Sequence, residues 1–404
     1  MITAAQKELV KATVPFLRER GVELTKHFYS RMFMHNPELK NVFNMGNQQN
    51  ERQQTALAGA VLAYAENIDH PEVLMPVLDG IGQKHISLDI RPEDYFIVGG
   101  HLLAAIGEIL EDQASESLLK AWEAAYFQLA DIMSQHELSL YNKQIQKKGG
   151  WTGWRPFIVK DKVRESDEIT SFYLYPSDGG AVADFLPGQY LSVRLFIPEL
   201  GLLQPRQYSI STAPNGIYYR ISVKRETAEH PTPDGMISNR LHSFVNEGDL
   251  VDVSAPAGNF TLQNTGNPIV FISGGVGQTP LIAMMESLIN NGSPRQATWI
   301  HGCRGKEVHA FKETLHQWAV AHDNVSRHVF YNNLAGIYAE DNHYEGWVDL
   351  KRFGDDMLVS PDTEFYICGP GQFIEKHYKD LLAMGAKEES IYFEEFGPQS
   401  LQLN

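Results

Sequence analysis

His85 stands in the stretch GIGQKHISLDI (residues 80–90), near the end of a segment with helical periodicity. An imidazole at such a position has two roles open to it. It can be a packed side chain satisfied by a hydrogen bond, or it can ligate a metal through one ring nitrogen. Taken alone, a histidine on a helix favours the first role. The choice depends on which residues other elements bring to it.

A second candidate stretch is SGGVGQTP (residues 273–280), which follows a short apolar run and precedes a helical one. Its glycines allow the backbone to approach a pyrophosphate, and the amino end of a helix favours negative charge. The full GxGxxG pattern is absent. No Lys-Ser or Lys-Thr pair follows, which excludes a nucleoside-triphosphate loop. The stretch therefore indicates a dinucleotide site or a structural turn.

Two further stretches have residue types suited to phosphate and to a planar ring. In RQYS, Arg206 can neutralise a phosphate and Tyr208 can pack on a ring, and the stretch precedes a predicted strand. In GMISNRLH (residues 235–242), Ser238 and Asn239 lie at a predicted helix start, which also suits phosphate. Taken singly, each stretch is equally compatible with a capped turn on a barrel.

The elements that must position these residues begin with a helical region, because apolar residues recur at spacings of three and four up to about residue 147. No strand-like stretch interrupts this region. The last helix is expected from about Ser115 to Lys147 and is ended by Gly149-Gly150. The predicted breaks between helices are at Gly21, Asn36-Pro37, Gly46-Asn47, Asp69-His70-Pro71 and Arg91-Pro92.

The pattern changes after this region. Short stretches rich in aromatic and β-branched residues, separated by turn residues, predict an antiparallel β-barrel up to about residue 265. Beyond it, strands alternate with helices, which predicts an α/β domain with a parallel, doubly wound sheet. The chain is therefore predicted to be multidomain: an all-α domain over 1–147, an antiparallel β-barrel over 151–265 and an α/β domain over 266–404.

Composition excludes several classes of protein. The 404 residues carry a formal net charge of −16, which argues against nucleic acid or an anionic membrane as a partner. Two cysteines form neither a disulfide framework nor a metal pattern and suit a reducing compartment. The first residues lack the apolar core expected of a signal peptide, and no apolar run of about 18 residues occurs. We expect a cytoplasmic monomer that acts on small molecules, with no stable membrane association.

Taken in order, the stretches of the second and third regions resemble the ferredoxin-NADP reductase-like family. The resemblance implies that RQYS binds the flavin of FAD, that the SNRLH stretch cradles its pyrophosphate, and that GGVGQT takes NADH or NADPH. It places CGP near the nicotinamide and Phe396 over the flavin ring. Arg304 and Lys306 are candidate contacts for an additional phosphate. The implied cofactor-binding residues are Tyr190, Arg206, Gln207, Tyr208, Ser209, Ser238, Asn239, Gly274, Gly275, Val276, Gly277, Gln278, Thr279, Cys368, Gly369, Pro370, Glu394, Glu395, Phe396, Gly397 and Pro398.

A flavin reductase needs an electron acceptor, so the helical region is the candidate. HFYSRMF places Tyr29 on an early helix, and NVFNMGNQ places Phe43 in a turn. QQTALAGA places Gln53 and Leu57 on one helix face, since they are four residues apart. His85 follows 32 residues after Gln53, which is enough for the chain to return on an opposing helix. A flat apolar cofactor can lie between two such faces.

This set resembles the globin domain of the flavohaemoglobins, and the whole chain follows that family's order from end to end. The resemblance implies that His85 is the proximal ligand of a haem iron and that Phe43 packs on the porphyrin. Tyr29, Gln53 and Leu57 would form the distal pocket. No CxxCH motif is present, so haem b would be held without a covalent bond.

The same resemblance places Lys84 beside the iron ligand and makes Tyr95 and Glu137 the proximal partners of His85. A carboxylate near a ligating imidazole increases its electron donation to iron, which favours activation of oxygen. The chain departs from the family at Gly46, where a serine is expected. The remaining histidines of this region are interpreted as ordinary surface or core residues: His27, His35, His101 and His136.

The activity implied by the resemblance is nitric oxide dioxygenation. NADH or NADPH would give a hydride to FAD, single electrons would reduce the haem, and oxygen bound at ferrous haem would oxidise nitric oxide to nitrate. Two alternatives remain open. One is a sensor or carrier of oxygen or nitric oxide, in which the reductase only keeps the iron ferrous. The other is a flavin reductase with a helical interaction domain, a hypothesis that fails if haem binds at His85.

Overall fold

A computed structural model describes residues 2–49, 51–228, 234–333, 342–358 and 360–397. By their backbone contacts the residues form two compact units. The first unit combines Met1–Arg155 with Ser192–Arg206, and the second combines Pro156–Leu191 with Gln207–Asn404. In the described part of the chain, no helix is both long and apolar enough to cross a membrane.

The predicted helical region is confirmed, and its described residues contain no strand. The helices are α1 (Ala4–Lys11), α2 (Val14–His35), α3 (Met45–Gln49), α4 (Arg52–Glu66), α5 (Met75–Ser87), α6 (Pro92–Leu110) and α7 (Glu116–Gln146). They enclose one apolar core, whose buried members include Leu24, Phe28, Met32, Tyr64, Ile106 and Trp122.

Helix α7 shows why the predicted boundaries hold. The Ser115 hydroxyl accepts a hydrogen bond from the Leu118 backbone N–H at 3.2 Å, which caps the helix. At the other end, a Cβ on Gly150 would lie 1.9 Å from the Gln144 carbonyl oxygen, so only glycine allows the chain to turn back there.

Two predicted helix breaks are wrong. Gly21 lies inside α2 and is buried against α4: a Cβ at this position would be in ordinary van der Waals contact with the Cβ of Ala58, at 3.5 Å. Gly46 and Asn47 lie inside the short helix α3. Tertiary packing overrides the local preference of these residues for turns.

The middle of the chain forms a six-stranded antiparallel sheet, as predicted. Its strands are β1 (Trp154–Arg164), β2 (Ile169–Pro176), β3 (Tyr190–Ile197), β4 (Leu202–Ser209), β5 (Tyr219–Lys224) and β6 (Leu250–Ser254), in the order β4-β3-β6-β1-β2-β5. Helix α8 (Met236–Phe244) lies between β5 and β6 in sequence. A bridge between Ile210, just after β4, and Ile221 of β5 joins the two ends of this order, as in a barrel.

The last region forms the predicted parallel sheet. Its strands are β7 (Ile269–Gly274), β8 (Ala297–Cys303), β9 (Val325–Tyr331), β10 (His343–Glu345), β11 (Glu364–Gly369) and β12 (Ile391–Glu395), in the order β10-β9-β8-β7-β11-β12. The helices are α9 (Gln278–Asn290), α10 (Lys312–Ala321) and α11 (Gly371–Ala383).

Helices α9 and α11 cover opposite faces of this sheet. Leu281 of α9 shares an apolar cluster with Phe271 and Trp299, whereas Ile374 of α11 shares another with Ile272. Alternate residues of β7 therefore serve the two faces. Two-sided burial explains why these strands are nearly continuous apolar runs, which is typical of a doubly wound fold.

Candidate functional site

The proximal residues predicted around His85 come together from three helices. Nδ1 of His85, on α5, lies 2.7 Å from Oε1 of Glu137, on α7. The Tyr95 hydroxyl, on α6, donates to the same carboxylate oxygen at 2.6 Å and lies 3.0 Å from Nδ1 of His85. Glu137 is only 2% exposed, so this carboxylate interacts in a nearly dry environment.

This arrangement fixes the use of both imidazole nitrogens. A carboxylate oxygen can only accept, so Nδ1 carries the hydrogen and donates to Glu137. Nε2 of His85 has no hydrogen-bond partner among the described residues. In the neutral imidazole the lone pair is then on Nε2, and a neutral imidazole oriented by a carboxylate is the form that ligates a metal. The site fits the predicted proximal ligand of a haem iron.

Tyr95 remains a hydrogen-bond donor throughout the ordinary pH range. Burial, and next the negative charge of Glu137, raise the pKa of its hydroxyl well above the usual range. Its proton therefore stays on the phenol oxygen and provides one of the hydrogen bonds that the buried Glu137 carboxylate accepts.

The distal residues gather on α2 and α4. Tyr29 is 4% exposed, and burial raises the pKa of its hydroxyl well above the usual range, although a hydrogen bond with the Gln53 side chain partly opposes this shift. Leu57 is half-buried against the same apolar core. A cavity of about 300 Å³ opens at Tyr29, with Phe33 and Met45 in its apolar wall. The hydroxyl of Tyr29 is thus a neutral donor in a small pocket.

Phe43 lies between helices, as predicted, in the bend before α3. Its ring meets the rings of Tyr29 and Phe33 edge-on, with centroids 5.7 and 5.5 Å apart. Phe43 is thereby part of the wall that holds Tyr29. Lys84 lies in the last turn of α5 and is half-buried.

The predicted flavin-binding residues lie in the β-sheet region. Tyr190 opens β3 and exchanges two backbone hydrogen bonds with Ala257, at 2.8 and 3.0 Å. A Cβ on Gly258 would lie 2.9 Å from the Tyr190 ring, so glycine is required for this close approach, and its φ of +107° also favours glycine. The backbone thus fixes the position of the Tyr190 side chain.

The RQYS stretch occupies the end of a strand and does not precede one, which corrects the prediction. Arg206, Gln207, Tyr208 and Ser209 are the last four residues of β4. Pro205, just before this stretch, also lies within β4 and is buried.

Ser238 and Asn239 lie in the first turn of α8, as predicted. Their side chains hold the turn itself. The Ser238 hydroxyl accepts from the Glu226 backbone N–H at 3.3 Å, and the Asn239 amide donates to the Glu226 carbonyl at 2.6 Å. In the predicted phosphate site, these side chains support the helix start, whose backbone N–H groups are the expected donors.

The glycine-rich turn lies at the carboxyl end of β7 and leads into α9, as predicted. A Cβ on Gly277 would lie 2.2 Å from the Cys368 carbonyl oxygen, and one on Gly274 would lie 3.2 Å from the Phe373 ring. Gly275 has a φ of +54° and open space around it. The turn needs glycine for packing against β11 and exposes backbone at Gly275.

The other residues of this stretch support the turn. Val276 and Gly277 form its short helical part, and the Thr279 hydroxyl donates to the Val276 carbonyl at 3.1 Å. The Gln278 side chain is fully buried, and neither of its amide atoms has a hydrogen-bond partner in the described residues. Such a buried amide can still donate and accept hydrogen bonds at the start of α9.

The CGP stretch includes the last two residues of the neighbouring strand β11, so the two motifs meet at one edge of the sheet. Cys368 pairs with Ser273 in register, and Gly369 ends β11. Pro370 precedes α11 as its capping residue. Burial raises the pKa of the Cys368 thiol well above its usual range, so it is a neutral packing group and not a thiolate.

Strand β12 brings the near-terminal residues beside this edge. Glu394 pairs with Cys368 and Glu395 with Gly369 in register. Phe396 follows, with 40% of its surface exposed, and Gly397 adopts a φ of +143°. Pro398 lies outside the described residues.

Some predicted residues have other partners. Arg304 forms an ion pair with Glu168, and Lys306 is exposed.

Cys303 and Cys368 are both buried and free, and burial raises the pKa of the Cys303 thiol to about 12. Sequence reasoning missed Gln204, which is fully buried on β4. No local sequence signal marks it, because its hydrogen bonds go to backbone groups of Lys40 and Met45.

Comparison with known proteins relates these sites to one family. Family models match the globin family over residues 26–133 and the oxidoreductase NAD-binding domain over residues 271–379. The flavohemoprotein of Bordetella parapertussis is 49% identical over 401 residues, which cover 98% of this chain and 99% of that protein. The flavohemoprotein of Rhizobium meliloti is 46% identical, with the same coverage.

This chain belongs to the flavohemoprotein family. Among solved structures, the flavohemoglobin of Malassezia yamatoensis with bound FAD and haem superimposes with a TM-score of 0.84 at 25% identity, over 98% of this chain and 100% of that chain. The FAD/NAD-binding domain of nitric oxide dioxygenase from Vibrio cholerae is 37% identical, with a TM-score of 0.55, over 60% of this chain and 99% of that chain.

Membership of the flavohemoprotein family confirms the predicted resemblance and the predicted order of folds. A helical globin part is followed by an antiparallel sheet and then by a parallel-sheet, NAD-binding part. The flavohemoprotein order thus accounts for a helical region and a reductase-like region on a single chain.

Proposed function

We propose that this flavohemoprotein is a nitric oxide dioxygenase that uses NADH or NADPH and oxygen to convert nitric oxide to nitrate. The observation that carries the proposal is the hydrogen-bonded set of His85, Glu137 and Tyr95, which leaves Nε2 of His85 without a partner in the described residues. A relative with bound FAD and haem, and another named as nitric oxide dioxygenase, support it. We also propose three domains, over 1–147, 151–265 and 266–404.

Haem b, when bound, supplies the iron at which oxygen and nitric oxide react. His85 would hold it through Nε2. Glu137 increases the basicity of the imidazole by accepting its Nδ1 hydrogen, and a more basic ligand donates more electron density. Phe43 and Leu57 would supply apolar surface for the porphyrin, and Lys84 would lie beside His85.

Tyr29 holds its proton on the phenol because burial disfavours the phenolate. It can therefore donate a hydrogen bond to negative charge that develops on an oxygen atom in the pocket. Gln53 bonds to Tyr29 and would orient this hydroxyl. Phe33 and Met45 form the apolar part of the cavity wall, which also contains Lys26, Gln48, Glu51 and Gln54.

FAD, when bound, accepts a hydride and releases its electrons one at a time. Arg206 would neutralise one phosphate, and the start of α8 would donate backbone N–H groups to the other. Tyr190, Tyr208 and Phe396 would contact the flavin. The turn over residues 274–279 would hold the pyrophosphate of NADH or NADPH, with Cys368 near the nicotinamide.

Consumption of nitric oxide by the purified protein, measured with an electrode, tests the proposal. We expect loss of nitric oxide that requires both oxygen and NADH or NADPH, with nitrate as the product. His85→Ala should abolish this loss and leave NADH-dependent ferricyanide reduction intact. Bound haem and flavin without turnover would favour a sensor or carrier. A flavin spectrum without haem would leave a flavin reductase.

The cytoplasmic location and the monomeric state stay predictions from the sequence. Both are compatible with small-molecule substrates. Arg304 and Lys306 remain candidates for the choice between NADH and NADPH.

A further inference from the structure

The segment Ser192–Arg206 belongs to the first unit, together with the helices. It contains the end of β3, a turn and most of β4. Gln204 lies on β4 and is fully buried. A buried side-chain amide that is fully hydrogen-bonded fixes the groups around it, since leaving any of them without a partner is costly.

The Gln204 side chain bonds to both ends of the segment before α3. Its Nε2 donates to the Lys40 carbonyl at 2.7 Å, and its Oε1 accepts from the Met45 backbone N–H at 3.0 Å. The neighbouring Leu203 backbone N–H donates to the Asn41 side chain at 2.8 Å. Three hydrogen bonds therefore tie residues 40–45 to β4.

Phe43 lies between these two attachment points. It meets the Tyr29 ring edge-on at 5.7 Å and the Phe33 ring at 5.5 Å. The irregular segment over residues 42–44 is only three residues long, and among the described residues the Val42 and Phe43 backbone N–H groups bond only to the Leu39 carbonyl, at 2.9 and 3.2 Å. The attachments to Gln204 restrict the backbone on both sides of Phe43 and so restrict its ring against Tyr29.

We infer that Gln204 is a positioning residue for the distal pocket: it holds the segment over residues 40–45, and thereby Phe43 and Tyr29, in place. The inference rests on the proposed function in so far as Phe43 contacts haem. The proposed role requires no contact between Gln204 and a cofactor. It acts through the backbone of Lys40 and Met45.

Amide hydrogen exchange of the full-length, haem-free protein tests the role directly. In the wild-type protein the Met45 amide should be protected at least about tenfold relative to an unfolded chain. Gln204→Leu, which keeps much of the side-chain volume, should speed its exchange about tenfold. Gln204→Glu, which keeps the acceptor oxygen, should retain more of the protection than Gln204→Leu.

Ser171→Ala is the matched control, because Ser171 is also fully buried on a strand and hydrogen-bonded, to Ser222 at 2.7 Å. It should leave exchange at Met45 unchanged. In haem-loaded protein, Gln204→Leu should also speed haem release to an acceptor globin about tenfold and shift the carbon monoxide stretching band, whereas Ser171→Ala should do neither.

An unprotected Met45 amide in the wild-type protein would overturn the inference, even if Gln204→Leu does not fold. Equal acceleration at Met45 and throughout α7 would also overturn it, since that pattern is global destabilisation. If the wild-type protein binds no haem, the proposed function fails, while exchange in the haem-free chain still decides the role of Gln204.

Discussion

Oε1 of Glu137 lies 2.7 Å from Nδ1 of His85, and the two residues are 52 positions apart on different helices. This single relationship determines the chemistry of the imidazole. It places a hydrogen on Nδ1, so that the neutral imidazole has its lone pair on Nε2, and it couples the ring to a negative charge that is almost completely buried.

Glu137→Gln removes the negative charge and keeps the shape of the side chain. We expect the iron–histidine stretching frequency in the resonance Raman spectrum to fall, the haem reduction potential to rise, and nitric oxide dioxygenation to slow by about 10- to 100-fold. Glu123→Gln, an exposed position on the same helix, should leave all three unchanged. An unchanged stretching frequency in Glu137→Gln would show that the Glu137 carboxylate does not affect the bond between His85 and the iron.

Tyr29→Phe removes the buried hydroxyl and keeps the ring. If the hydroxyl donates one hydrogen bond to bound oxygen, oxygen should dissociate about tenfold faster, which corresponds to ~1.4 kcal/mol. Flash photolysis or stopped-flow replacement by carbon monoxide measures the rate. Tyr64→Phe is the control, because Tyr64 is equally buried and donates to the Ala125 carbonyl at 3.0 Å. Identical off-rates in wild type and Tyr29→Phe would mean that the hydroxyl serves only packing.

Gly277→Ala should damage the nucleotide site without affecting the helical unit. The added Cβ would lie 2.2 Å from the Cys368 carbonyl oxygen, so the turn must move away from β11. We expect NADH-dependent flavin reduction to fall by about tenfold or more, with unchanged haem content. In the control variant Gly266→Ala the added Cβ has open space around it, so NADH-dependent flavin reduction should proceed at the wild-type rate. Normal flavin reduction in Gly277→Ala would contradict the placement of the nucleotide at this turn.

Buried neutral histidines should make the parallel-sheet region sensitive to acid. Burial lowers the pKa of His301 and of His377 to about 4, whereas an unfolded histidine titrates near 6.5. The unfolded chain therefore binds protons between these values that the folded chain does not. Each residue's contribution to stability is complete above about pH 6.5 and is lost as the pH falls, on the order of 2 kcal/mol by pH 5.

Thermal unfolding measured between pH 7.5 and 5 checks this expectation. His377→Leu should lose less stability over that range than the wild-type protein. His70→Gln, at an exposed position, should follow the wild-type curve. A parallel pH dependence in His377→Leu and wild type would show that His377 does not contribute to acid sensitivity.

Local patterns predicted the three regions of the fold because one kind of sequence pattern recurs throughout each region. Apolar spacing of three and four predicted the helices, and Gly149-Gly150 predicted the end of α7. The predicted break at Gly21 was wrong because its burial inside α2, against Ala58 at 37 positions away, is not visible in the local sequence. Strands β9 and β10 have weak local signals, since β9 mixes polar and apolar residues and β10 has only three residues.

The candidate site was predictable only in part. The glycine-rich turn has a local sequence signal, and its place after β7 followed from that signal. The partners of His85 have none, because Tyr95 and Glu137 reach it from other helices, and only resemblance to a family identified them. Gln204 was missed because its bonds go to backbone groups of Lys40 and Met45, which no residue type reveals.

The most direct test of the central claim is an absorption spectrum followed by anaerobic stopped-flow mixing with NADH. We predict a haem Soret band with flavin shoulders, then bleaching of the flavin, and after it a shift of the Soret band to the ferrous form. In His85→Ala the flavin should still bleach and the Soret band should be absent. A wild-type protein whose flavin bleaches with no haem band, or whose haem stays ferric while flavin is reduced, would contradict the account.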